Sequence, residues 1–167
     1  MIKRLLLVLL LCVPSAWASD QVFVTGTGSA SLDNAATNYI PVVGNKGTGG
    51  TVEDDSSCFV TSAGTLSKLR VTVSAAPGAS KSWAFTVMVN RAASALTCTI
   101  ADSATSCTDV SNTPSISANQ PADIRIVPTG TPTAAQAHIT LVYAGGTSAE
   151  SVLCGSTGTQ AVSTTAT

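Results

Sequence analysis

Hydrophobic side chains in this chain recur at every second position over stretch after stretch, and that period limits its fold more than any other feature. Leu69, Val71 and Val73 alternate with Arg70, Thr72 and Ser74, and after the turn signal Ala75-Ala76-Pro77-Gly78, Trp83, Phe85, Val87 and Val89 alternate with Ala84, Thr86, Met88 and Asn90. A two-residue period puts apolar side chains on one face of a strand and polar ones on the other. No window sustains the 3.6-residue period of an amphipathic helix. The alternation continues through Leu96, Cys98 and Ile100, then residues 107–110, Ile116 after Pro114, Ile124 and Ile126 up to a stop at Pro128-Thr129-Gly130, and finally Ala137, Ile139, Leu141 and Tyr143. Upstream, residues 22–24, 39–43 and 58–60 read as further strands, and residues 44–50 as a Gly-rich loop. Roughly seven to ten short strands joined by turn residues predict an all-β fold, an antiparallel β-sandwich of the jelly-roll or immunoglobulin-like kind.

The chain opens with Lys3-Arg4, an apolar run over residues 5–13 and Ala16-Trp17-Ala18. That is the charged, apolar and small-x-small pattern of a secretory signal peptide, expected over residues 1–18. The apolar run is too short to span a bilayer, and no second such segment follows, so no membrane span is expected after cleavage. Lipid attachment at Cys12 is disfavoured because Leu11, not a small residue, precedes it. The expected organisation is then an N-terminal strand or arm over 19–38, the sandwich over 39–154, and a small, polar, flexible tail over 155–167. The expected location is secreted, periplasmic or at the cell surface.

Cleavage leaves four cysteines, Cys58, Cys98, Cys107 and Cys154. An even number in an exported chain predicts disulfides, with three connectivities to choose from. Placing Cys98 opposite Cys107 across a hairpin leaves Asp102-Ser103 as a two-residue turn, or a turn longer by a residue or two. The cysteines then form a non-hydrogen-bonded pair with Cα atoms about 4.5 Å apart, inside the disulfide window. Elimination pairs Cys58 with Cys154. A structural metal site is the weaker reading, because the chain has no CxxC pair and a single His.

A succession of motifs between residues 39 and 143 carries a resemblance. It runs Tyr39-Ile40-Pro41, Glu53, Ala63-Gly64-Thr65-Leu66-Ser67-Lys68-Leu69, Ala76-Pro77-Gly78, Ser82-Trp83-Ala84-Phe85-Thr86-Val87, Leu96-Thr97-Cys98-Thr99-Ile100, Cys107-Thr108-Asp109 and Val127-Pro128-Thr129-Gly130-Thr131-Pro132. This resembles an uncharacterised jelly-roll module of bacterial secreted and phage fibre-type proteins, similar in layout to tumour-necrosis-factor and C1q heads. The resemblance implies a homotrimer and no catalytic residues. Two stretches depart from the pattern: Asn90-Arg91 stands where the module often has Asn-Gly, and Gln120-Pro121-Ala122-Asp123 where it has Gly-Asp.

Composition narrows the chemistry. At 44% hydrophobic and 10% charged residues, the chain is no disordered tail. After cleavage six basic residues face nine acidic ones, a net charge of −3 with the cations scattered singly, so no nucleic-acid partner is expected. The one imidazole, His138, alternates with Ile139 and Leu141 and is expected to face solvent, and no GxSxG elbow surrounds any serine. No catalytic residue and no cofactor are therefore expected. Glu53, Asp54 and Asp55 are the one acidic cluster, a weak calcium candidate because the D-x-D-x-[DN]-G loop pattern is missing. A solvated loop or strand edge is the expected role. Spacing selects no catalytic pair among Asp102, Asp109, Asp123 and Glu150. Trp83, in phase with Phe85, belongs in the core rather than on a sugar-binding face.

These readings converge on an exported structural or adhesive module with a self-associating, glycan or cell-surface partner. The alternative is a pilin-type subunit that polymerises by strand addition, using residues 19–30 as the donated arm with Val22 and Val24 as pocket residues.

Overall fold

Every alternating stretch of the sequence is a strand in the computed structural model, which describes residues 20–146. The strands are β1 (Asp20–Gly26), β2 (Asn38–Pro41), β3 (Gly44–Asn45), β4 (Cys58–Phe59), β5 (Gly64–Val73), β6 (Gly78–Val89), β7 (Ala92–Asp102), β8 (Ser106–Asp109), β9 (Ser115–Ile116), β10 (Pro121–Thr129) and β11 (Ala137–Gly145). One sheet has the order β3-β1-β11-β5-β8, with β9 also on β5; the other has β2-β10-β6-β7, with β4 also on β10. The long strands pair antiparallel, and β1–β11–β5–β8 facing β2–β10–β6–β7 is the strand order of a jelly roll. β1 belongs to the first sheet, matched to β11 from Asp20↔Ala144 to Gly26↔His138.

The core lies between the two inner faces. Phe23, Leu66, Leu69, Val71, Ile139, Leu141 and Tyr143 of the first sheet meet Ile40, Trp83, Phe85, Val87, Leu96, Ile100, Ile124 and Ile126 of the second, all buried. Each side chain of this size contributes about 1.5–3 kcal/mol on burial. The Phe23 ring stacks on Tyr143 with centroids 5.5 Å apart, and the Tyr143 hydroxyl donates to Ser62 O at 2.9 Å. Leu66 and Leu69 are three residues apart, so a regular strand cannot turn both inward. A bulge resolves the conflict: Lys68 takes φ 55° and the β5–β11 register shifts between Thr140 and Val142.

The disulfide Cys98–Cys107 is present, with Cα atoms 5.8 Å apart, but the expected hairpin between its strands is not. β7 pairs with β6 and β8 pairs with β5, so the two cysteines join edge strands of opposite sheets. A two-residue type I′ hairpin needs positive φ at both central residues. Of Asp102 and Ser103 only Asp102 adopts it, at 54°, and the chain crosses the sandwich instead of folding back. Cys58 is buried on β4 and is not a free thiol; its expected partner, Cys154, lies outside the described residues, as does the 155–167 tail.

The true tight hairpin joins β6 to β7 through Asn90 and Arg91, at φ 51° and 61°, with Val89 opposite Ala92. Arg91 therefore occupies a left-handed position that favours Gly. Its side chain reaches Asp54 with Nε 2.7 Å from Oδ1, an exposed pair that contributes little. Arg91→Gly is expected to raise Tm by about 2 °C, read by thermal unfolding; a fall in Tm would show that the Asp54 contact outweighs the backbone relief.

Candidate functional site

The residues singled out in the sequence scatter over the molecule. His138 is exposed on β11, opposite Thr72 of β5 and Gly26 of β1. Trp83 is fully buried, Tyr143 likewise, and Tyr39 is half-buried, so among the described residues no Trp or Tyr ring forms an exposed sugar platform. Asp102, the last residue of β7, accepts from Ser80 N of β6 at 2.7 Å. Glu150 lies outside the described residues. The acidic cluster does not converge: Asp54 is engaged by Arg91, Asp55 is exposed, and Glu53 turns one carboxylate oxygen inward. Among the described residues no three His, Cys, Asp or Glu side chains are grouped so as to hold a metal ion.

What the structure does bring together is Glu53 and Asp123. Asp123 lies on the outer face of β10, between Pro41 of β2 and Met88 of β6, a position that alternation alone would leave in water. It is 1% exposed because residues 46–57, the strap between β3 and β4, cover it. Several contacts hold the strap. Tyr39 N donates to Gly50 O at 2.7 Å and Gly50 N to Tyr39 O at 3.0 Å. Lys46 Nζ donates to Ser56 Oγ at 2.7 Å, and Ser56 Oγ to Tyr39 O at 2.8 Å. Gly49, at φ 86° and with the Asn38 Cβ only 3.0 Å from where a Cβ of its own would stand, lets the strap turn this close to β2.

Ser57 makes the central link, with Oγ 3.1 Å from Asp123 Oδ2 and 3.2 Å from Glu53 O. Asp123 Oδ1, Glu53 Oε1 and Arg125 Nε are buried without a protein hydrogen-bond partner. Burial, and then the neighbouring Glu53 charge, push the Asp123 carboxyl up to about 7; the Ser57 bond and Arg125 pull the other way. A carboxylate buried in this way favours its protonated form.

A second feature lies on the outer face of the first sheet. Val22 and Val24 are 65% and 59% exposed, while Phe23 between them points into the core. This phase is opposite to that of an arm whose valines fill pockets. Val22 lies beside Val142 and Val24 beside Thr140 of β11. Val22 and Val24, with the half-buried Val142, form an apolar strip on the β1–β11 pair, next to the exposed ion pair of Lys68 with Asp20 at 3.6 Å. Comparison with protein-family models, curated proteins and solved structures finds no match, so the jelly-roll assignment rests on strand order.

Proposed function

We propose that this chain is an exported, non-enzymatic structural or adhesive module, acting at the cell surface or in an extracellular assembly and associating with its own copies as a homotrimer. The observation that carries this reading is the Val22–Val24–Val142 strip, because solvent-facing apolar side chains grouped on a rigid sheet favour a protein partner. A disulfide that ties two sheet edges together suits an oxidising compartment. The non-enzymatic part rests on the covered Glu53–Asp123 pair and on His138, which stands on an open face opposite Thr72 and Gly26 rather than between a nucleophile and a carboxylate.

Light scattering after size exclusion tests the reading on the mature protein. The expected result is a discrete trimer that Val22→Asp with Val24→Asp converts to a monomer of unchanged circular dichroism. A wild-type monomer at every concentration would overturn it. Open polymers would instead favour strand addition, in which β1 must leave its pairing along Asp20–Gly26 with β11. A glycan-array screen addresses the adhesive role separately.

A further inference from the structure

The edges of the two sheets are guarded unequally. On β7 the Asp109 carboxylate takes the Thr97 N–H at 3.1 Å, and the Cys98–Cys107 disulfide crosses from there to β8, an edge of only four residues. On β2 the strap exchanges both backbone bonds between Tyr39 and Gly50. The remaining edge is β1, which β3 covers only at Thr25 and Gly26, through Gly44 and Asn45.

Two bonds at the end of β1 fix which of its backbone groups face outward. Thr27 N donates to Ala137 O, so Thr27 faces β11, and Gly26 O accepts from Lys46 N at 3.4 Å, so Gly26 faces β3. The β1–β11 register runs without a shift from Asp20 to Gly26, and backbone direction alternates along a strand. Val24, Val22 and Asp20 therefore turn their N–H and C=O groups to the open side. Among the described residues, those of Val22 and Val24 have no partner. From Gln21 to Thr25 the strand carries no charge and no proline, the devices that keep a free edge from pairing.

We propose that the β1 edge pairs with the β1 edge of a second copy, antiparallel about a two-fold axis at Val22, so that the first sheets of two copies become one continuous sheet. A second copy is the occupant because the edge is complementary to itself. With Val22 set against its own counterpart, Asp20 meets Val24 of the second copy and Val24 meets its Asp20, so each outward N–H finds an outward C=O in about six hydrogen bonds. The two Asp20 carboxylates fall at opposite ends of the joint. No longer two-fold register leaves β3 in place: setting Val22 against Val24 would bring the second copy's Asp20 opposite Gly26, a position that Asn45 already holds. The joint also extends an apolar row. Val142 lies beside Val22 on the outer face, and across the axis the row continues with Val22 and Val142 of the second copy. This contact uses the backbone edge and leaves the outer face open. It goes beyond the three-fold association proposed above, and where both form it links one trimer to the next.

Engineered cysteines test the register. Val22→Cys places the two thiols on Cα atoms about 5.5 Å apart, inside the disulfide window, whereas Val24→Cys leaves them about 14 Å apart. Under mild oxidation Val22→Cys is expected to form a linked dimer well above the wild-type background on a non-reducing gel, and Val24→Cys to stay at that background. Adding Val24→Pro to the Val22→Cys chain removes an outward donor from each copy but no bond to β11, since that N–H faces away from it. The linked fraction should then fall about tenfold, with circular dichroism unchanged; if the proline chain fails to fold, the two cysteine variants decide alone. Equal linking of both cysteine variants would overturn the pairing, as would background linking of Val22→Cys or full linking of a folded proline chain. A trimer that keeps its mass while Val22→Cys stays unlinked sinks the edge pairing alone, and a linking Val22→Cys in a chain that forms no trimer sinks the three-fold reading alone.

Discussion

Trp83→Ala is expected to cost about 3–5 kcal/mol of folding stability, measured by urea unfolding. Trp83 is fully buried on a central strand, opposite Ile100 of β7 on one side and Pro128 of β10 on the other. Removing the indole opens a cavity between two sheets whose register both neighbouring strands fix, so little can collapse into it. Against a typical total of about 5–15 kcal/mol, such a loss leaves a small margin. Trp83→Phe should be much milder, at about 1–2 kcal/mol. The indole Nε1 has no protein partner, so a phenyl ring forfeits volume but no hydrogen bond. The pair of variants separates a core residue from a sugar platform. Were Trp83 a platform, alanine would leave stability within about 0.5 kcal/mol of wild type and abolish binding instead.

That Trp83 lies inside was legible in the sequence, because its phase with Phe85 and Val87 left no other face for it. By the same alternation Ile139 and Leu141 lie inside and His138 outside. Periodicity says which face of a strand a residue occupies, but not which sheet the strand joins. Cys98 and Cys107 show the difference: alternation put both on strands, but the hairpin that their spacing suggested is absent, and the bond instead spans opposite sheets because β8 takes β5 as its neighbour. Leu66 and Leu69 carried a readable warning, since their spacing breaks the alternation that Val71 and Val73 resume, and the bulge at Lys68 is the answer. Asp123 was beyond reach. Its phase assigns it to the outer face, where a carboxylate is ordinarily solvated, and only a strap 66 residues away in sequence buries it. The covered site around Asp123 is thus made by tertiary contacts that no local pattern encodes.

Asp109→Ala is expected to cost about 3 kcal/mol, and less once the neighbouring disulfide is gone. Asp109 Oδ2 accepts from Thr97 N of β7 at 3.1 Å and from Asn112 Nδ2 at 2.8 Å, while Oδ1 accepts from Ser111 N at 3.0 Å and Asn112 N at 3.2 Å. The Asn112 side chain first, and then these backbone donors, hold the carboxyl down at about 2. Because the pKa is depressed, its contribution is present above the ordinary carboxylate value and is lost as pH falls through about 2. Thr97 adjoins Cys98, and Cys107 lies two residues before Asp109, so the carboxylate and the disulfide close the same open edge of the sandwich. Replacing both cysteines by serine should cost about 2.5 kcal/mol on loop-entropy grounds. Without the bridge β7 and β8 are free to part, and the Asp109 bond to Thr97 must then hold them alone against chain entropy. The double-mutant cycle should therefore show a coupling of about 1 kcal/mol, in the sense that the combined loss is smaller than the two single losses added. Additivity within about 0.3 kcal/mol would mean that the two devices act independently, with Asp109 serving only the turn at Ser111 and Asn112. Asp109→Asn discriminates further: it keeps the shape but sets an amide donor against donors, so its cost should persist whether or not the disulfide is present.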